Sequence, residues 1–249
     1  MSMLTRILGT RPALVPTLFT IPTLIVLIGL GTWQVDRLQW KNALLDRIHE
    51  RISGPAVPLP PGELPLDDWE YRRVSVTGSY LPEREFHLLA TSLRGNAGYQ
   101  VITPFRRADG GGILLVNRGW IPTERKAPAD RPGSMPPEGE TTATGIVRIP
   151  WAQGTFVADN DPDRNLWFWP DLAGMGDQIG QPVAPYMVEL VAREDPEAVF
   201  PMGGQTRVNI ANNHLEYALT WYGFAVALVV IYILWHRRLA RETERGGPE

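Results

Sequence analysis

Two runs without a charged residue bracket the chain. Residues 13–32 read ALVPTLFTIPTLIVLIGLGT and residues 217–235 read YALTWYGFAVALVVIYILW. Each approaches the ~20 residues a helix needs to cross a bilayer core. Between them the pattern changes. In residues 37–52 (RLQWKNALLDRIHERI), Leu38, Leu45, Ile48 and Ile52 recur at helical spacing among charges, so the first helix continues beyond its apolar part. GPAVPLPPGELP (54–65) breaks it and reads as a stiff linker. Alternation then takes over, with Val74 and Val76 marking a half-buried strand at 71–80. Further strands are expected at 86–91, 142–149, 165–169 and 186–193, with a Pro-rich loop at 127–139. The clearest hairpin joins 99–106 to 113–120 through RADGGG. The expected fold is a membrane protein of α+β class: two transmembrane helices flanking a β-rich extracytoplasmic domain of about 150 residues. Its limits read as helix 13–33, outer part 34–216, helix 217–235 and tail 236–249.

A cleaved signal peptide is the alternative for the first run, since Arg6 and Arg11 precede it. No small-x-small cleavage site follows, however; the chain runs into Trp33, Gln34 and a charged stretch, which favours a retained span. A buried core helix could imitate the second run, but Trp221 and Tyr222 near one end and Trp235 near the other suit interfacial belts. Arg6 and Arg11 before the first span, and Arg237, Arg238 and Arg241 after the second, put both tails in the cytoplasm by the positive-inside rule. Arg37 and Lys41 near the outer end weaken that contrast. Residues 34–216 then lie outside, carrying 18 basic and 24 acidic side chains. A mitochondrial presequence would be longer, Arg/Ser-rich and amphipathic, so a bacterial inner membrane with a periplasmic central domain is the expected location.

Composition narrows the chemistry. A net charge of -3 speaks against a nucleic-acid binder, and the absence of Cys removes disulfides, thiolate nucleophiles and iron–sulfur clusters. The mean hydropathy of -0.14 averages two unequal parts. No Gly-rich phosphate loop, G-x-S-x-G elbow or H-E-x-x-H motif is present, so the protein is not expected to be an enzyme. Gly110–Gly112 lie between two strands and read as a hairpin turn. Asp159, Asp161 and Asp163 lack the Gly and distal Glu of an EF-hand loop and read as a solvated turn.

Of four histidines, His49 sits among charges on an amphipathic helix, His87 has no partner at ligand spacing, and His236 beside Arg237 reads as a cytoplasmic anchor. His214 stands at the mouth of the second span. Asn213 and Glu216 have capping-box spacing, which would start a helix there. That helix would set His214 on one face with Tyr217, Ala218 and Trp221. A neutral imidazole flanked by aromatic planes at an apolar boundary could ligate the metal of a flat lipophilic macrocycle. The alternative is an interfacial histidine that hydrogen-bonds headgroups. Gly29 and Gly31, with Gly223 and Ala227, have small-xxx-small spacing that would let the two helices approach. Arg37 or Arg207 could pair with carboxylates at the outer surface. Asn117, Arg118, Gly119 and Trp120 end a strand and read mainly as fold, with a partner-binding surface as the sharper option.

Four segments in register change the weighting: GTWQVDRLQWK (31–41), YRRVSVTGSY (71–80), VNRGWIP (116–122) and NNHLEYALTWYGFA (212–225). Their order, spacing and flanking spans resemble the Surfeit locus (Surf-one) family over nearly the whole chain. The resemblance implies an assembly factor of haem-copper cytochrome c oxidase that transiently binds haem a and aids its insertion into the large catalytic subunit. It also implies, for His214 only, that this residue is the axial ligand of the haem iron; Tyr217 and Trp221, from the helical spacing, and Arg207, from its place near the outer surface, are the neighbouring candidates. Haem a, the large oxidase subunit, the lipid bilayer and haem a synthase are the implied partners. A scaffold of the nascent subunit that touches no haem is the rival.

Overall fold

The computed structural model describes residues 7–9, 11–193, 200–208 and 212–245; Arg6 lies outside the described residues. In chain order the elements are α1 (Leu14–Ser53), β1 (Val57–Pro58), α2 (Leu66–Trp69), β2 (Arg73–Tyr80), β3 (Phe86–Thr91), β4 (Ala97–Arg107), β5 (Ile113–Pro122), β6 (Thr141–Arg148), α3 (Leu172–Ile179), β7 (Val183–Leu190) and α4 (His214–Arg245). The chain forms two compact units, Met1–Asp46 with Ile210–Glu249, and Arg47–Asn209.

The first unit is a helix pair, and both helices are long and apolar enough to cross a membrane. α1 runs unbroken from its apolar part into the charged stretch, with Pro22 inside it. The helices are antiparallel, tied by Thr32 to Tyr222 at 3.2 Å and Thr17 to Tyr232 at 2.5 Å. Close approach is set by Gly31, where a Cβ would stand 2.6 Å from the Tyr222 ring. Gly29 and Gly223 meet nothing within 4 Å, and the small residues that α4 buries are Ala218 and Ala225. The expected small-xxx-small stripe is therefore replaced by a seam with heptad spacing, because the bulky Tyr222 ring docks onto Gly31.

In the second unit, β2, β6, β7, β5 and β4 follow one another, and β4 returns to β2 through Gly78↔Arg107, Ser79↔Arg106 and Tyr80↔Phe105, which closes a barrel. β1 adds in parallel to the start of β2, and β3 adds to β4. The predicted hairpin is β4–β5, with Arg106 opposite Ile113. β5 is buried along nearly its whole length. Leu114 and Val116 pack with Val74, Phe105 and Val188, while Leu115 turns to the opposite face with Leu88, Trp167 and Met187. That two-sided burial is why ILLV reads as a continuous apolar run rather than an alternation.

Three sequence expectations change. The stretch at 54–65, read as a stiff linker, is part of the barrel unit: it supplies β1, Leu59 is 4% exposed, and the Leu59 and Pro60 carbonyls accept from Arg107. Residues 165–169 do not form a strand: Asn165 adopts a φ of 49°, and the segment holds isolated bridges, Leu88 to Trp167 and Asp161 to Leu166. α3 was not predicted; its two internal glycines and short length hide it, although Asp171 caps its start and Gly180 ends it in the left-handed region.

Candidate functional site

α4 begins at His214, and the Asn213 carbonyl accepts its first backbone bond from the Tyr217 N–H at 3.3 Å. Glu216 lies in the first turn, where a negative charge suits the helix dipole. Beside the cap, the Asn212 amide donates to Asn42 Oδ1 at 2.8 Å. His214 is half-buried, and its Nδ1 lies 2.6 Å from Oε1 of the buried Gln34 on α1. With the Gln34 amide oxygen, which only accepts, as the facing atom, a neutral ring would carry its proton on Nδ1 and leave a lone pair on Nε2. Among the described residues no protein group takes that lone pair.

The other histidines have no nitrogen to offer or lie open to solvent. His236, read as a cytoplasmic anchor, is 0% exposed within the helix pair. Its Nε2 accepts from the Ala13 N–H at 3.1 Å and its Nδ1 donates to the Tyr232 carbonyl at 2.9 Å, so it caps the start of α1. His87 donates from Nε2 to Glu85 Oε1 at 2.8 Å and accepts at Nδ1 from Asn165 at 3.2 Å. His49 is exposed.

Of the predicted neighbours, Tyr217 and Trp221 share the helix unit with His214. Tyr217 is 55% exposed, and Trp221 packs edge-on against Phe224 at 6.2 Å. Among the described residues neither ring stacks on the imidazole. Arg207 belongs to the barrel unit, where its Nη2 donates to the Thr91 carbonyl at 2.9 Å, to Thr91 Oγ1 at 3.0 Å and to the Ser92 carbonyl. Arg37 lies over the Trp40 ring at 4.5 Å. Around the aspartates, Asp161 and Leu166 exchange backbone bonds and Asp161 Oδ1 accepts from Arg164, which makes a turn.

The barrel holds a charge cluster that sequence reasoning missed, because its members lie far apart in the chain. Glu85 accepts from His87 and from Arg131, and Arg118 Nη1 stands 3.7 Å from its other oxygen. Burial pushes the Glu85 carboxyl up, but the His87 hydrogen bond and the Arg131 charge outweigh it and hold it below the usual carboxylate range. Burial also raises Tyr80 to about 12, against the opposing charges of Arg118 and Arg193. The Asn117-Arg118-Gly119-Trp120 motif is accordingly structural. Gly119 has a φ of +124°, and a Cβ there would stand 2.1 Å from the Met202 carbonyl.

Glu189 behaves oppositely. Burial raises its carboxyl, only partly offset by hydrogen bonds from Thr206 and Asn117 and by the Arg148 charge. A raised folded-state value contributes stability below the unfolded carboxylate range, about 4.3, and that contribution is lost as pH rises through the folded value. Glu189→Gln, which cannot ionise, is expected to melt above the unaltered chain at pH 8, with the gap closing toward pH 4. Thermal melts of the full chain in detergent check this, and a pH-independent gap would contradict it.

A model of the SURF1 family matches residues 22–226. The chain is 35% identical to a SURF1-like protein of Monosiga brevicollis, over 90% of this chain and 88% of that one. It is 35% identical to Surfeit locus protein 1 of Xenopus tropicalis (86% and 72% covered) and 34% identical to that of Homo sapiens (86% and 74%).

Proposed function

From the chain's membership of the SURF1 family, we propose that it is an assembly factor for a haem-copper cytochrome c oxidase. It sits in a bacterial inner membrane through α1 and α4, takes haem a as cargo on His214, and passes it to the large catalytic subunit. Haem a synthase is the proposed donor. The observation that carries this reading is the single imidazole lone pair of His214 at the start of an apolar helix, held in place from the neighbouring helix. One imidazole suits a metal that arrives with its own macrocyclic ligand, because only an axial position needs filling.

The surroundings support the cargo. Haem a carries a long isoprenoid tail, and its exposure to water would cost ~25 cal/mol per Å². A groove of about 460 Å³ in the helix unit, lined by Leu24, Ile28, Ala225 and Val229 among others, offers such a tail wholly apolar walls. Direct carriage in the bilayer avoids the aqueous exposure altogether. The test is the visible spectrum of full-length protein purified from cells that make haem a. A haem a spectrum is expected. A colourless protein that still supports oxidase assembly would leave a haem-free scaffold as the correct reading.

Orientation follows from the charge pattern of the tails. A reporter active only outside the cytoplasm should work when inserted near Phe156, which is fully exposed, and fail when fused after Glu249. The loop at 127–139 is unsuitable, because Arg131 and Ser134 are buried in the Glu85 cluster. Activity of the tail fusion would overturn the orientation.

A further inference from the structure

We infer that Gln34 is a positioning residue for His214: its amide oxygen pins the imidazole as the Nδ1–H tautomer and thereby reserves Nε2 for metal. The inference rests on the haem reading above and adds the residue that makes it work. Its observations are the 2.6 Å Nδ1···Oε1 contact and the burial of Gln34 at 9% exposure. Free imidazole side chains prefer the proton on Nε2, so an unsupported His214 would present the wrong nitrogen much of the time. A fixed acceptor at Nδ1 reverses that preference.

The comparison within the same helix pair sharpens the point. His236 is pinned in the identical tautomer by the Tyr232 carbonyl, but its Nε2 is already occupied by the Ala13 N–H. One imidazole therefore closes a helix end while the other is held by the same device with a lone pair left over. The acceptor for His214 is a side chain on the other helix, not its own backbone. Ligand presentation is thus tied to correct pairing of α1 with α4. A carboxamide in this place also supplies orientation without adding a charge beside an apolar segment.

The experiment uses the full chain in detergent micelles with ¹⁵N-labelled histidine. In the haem-free protein, the His214 ring is expected to show a protonated Nδ1 and an unprotonated Nε2. The opposite orientation of the Gln34 amide would put the proton on Nε2, and that result overturns the inference without requiring any variant. Gln34→Leu, which keeps the bulk and removes the acceptor, should release the tautomer and weaken binding of added ferric haem a by ~10–100-fold, the usual cost of losing an outer-shell partner. Gln34→Glu should restore binding and lower the midpoint potential of the bound haem, because a carboxylate makes the imidazole a stronger donor. Unchanged affinity and tautomer in Gln34→Leu overturn the inference. Haem a that binds His214→Ala as tightly as the unaltered chain overturns the haem reading itself, whatever the tautomer measurement shows.

Discussion

Replacing Trp120 by alanine is expected to cost ~3–5 kcal/mol of stability and to leave little protein in the membrane. The side chain is 5% exposed, lies on β5 opposite Gln100 of β4, and meets the Phe200 ring edge-on at 6.2 Å. Its backbone exchanges two 2.9 Å hydrogen bonds with Met202, so the indole packs where the segment leading toward α4 is fastened to the barrel. Those backbone bonds survive the substitution; the cavity left by the ring does not collapse easily against a closed sheet. A loss of this size is a large share of the ~5–15 kcal/mol that holds a typical domain. Low abundance is therefore expected, rather than a full-level inactive protein. Trp120→Phe should cost less, since it keeps a ring against Phe200 and removes a buried indole N–H that has no hydrogen-bond partner. Membrane abundance and denaturation of the detergent-solubilised chain check both. Normal abundance and melting of Trp120→Ala would remove Trp120 from the core.

The barrel strands were legible where side chains alternate or where a turn announces itself. Val74 and Val76 mark β2, and the Asp109-Gly110-Gly111-Gly112 turn fixes the β4–β5 hairpin, with Asp109 accepting from Gly111 at 3.0 Å. Legibility failed where the deciding interaction joins distant positions. Nothing near residue 57 in the chain reveals that Val57 pairs with Val74, so a Pro-rich strand edge looks like a linker. Glu85, Arg118 and Arg131 lie far apart in the chain, and only the fold brings them together and buries them. His236 looks like an anchor because its local neighbours are arginines; its hydrogen bond comes from Ala13, 223 positions away.

The candidate site divides along the same line. His214 was legible because helix-start chemistry is local: Asn213, Glu216 and the apolar run that follows mark its place. Gln34 was legible only as a residue that follows the first apolar run. Its hydrogen bond, and hence the tautomer, depends on the register of two helices separated by 180 positions. Tyr217 and Trp221 were expected beside the imidazole from helical spacing alone. Of the face expected to hold His214, Ala218 is buried, as is Ala225, whereas Tyr217 is 55% exposed and Trp221 meets Phe224, contacts that spacing alone does not give.

His214→Ala is expected to lose co-purified haem a while membrane levels stay near those of the unaltered chain. Abundance is protected because the position is half-buried at a helix start, so no deep cavity forms. The remaining cost is the Gln34 amide oxygen left without its donor, about 1–3 kcal/mol if water cannot reach it. The helix pair keeps its other ties: Asn212 to Asn42, Tyr222 to Thr32, Tyr232 to Thr17 and His236 to the Ala13 N–H. Haem loss should exceed the ~10–100-fold expected when only an outer-shell partner is removed, because here the donor atom itself is gone. The other histidines separate ligation from folding. His49→Ala, at an exposed site, should change neither abundance nor haem. His87→Ala deprives Glu85 of a hydrogen bond, and His236→Ala uncaps α1, so each should lower abundance while the haem carried per molecule stays constant. The ratio of haem absorbance to protein, measured across the four variants, therefore isolates His214. An unchanged ratio in His214→Ala would sink the ligand assignment, and the oxidase-assembly role would then rest on contacts made by the protein surface alone.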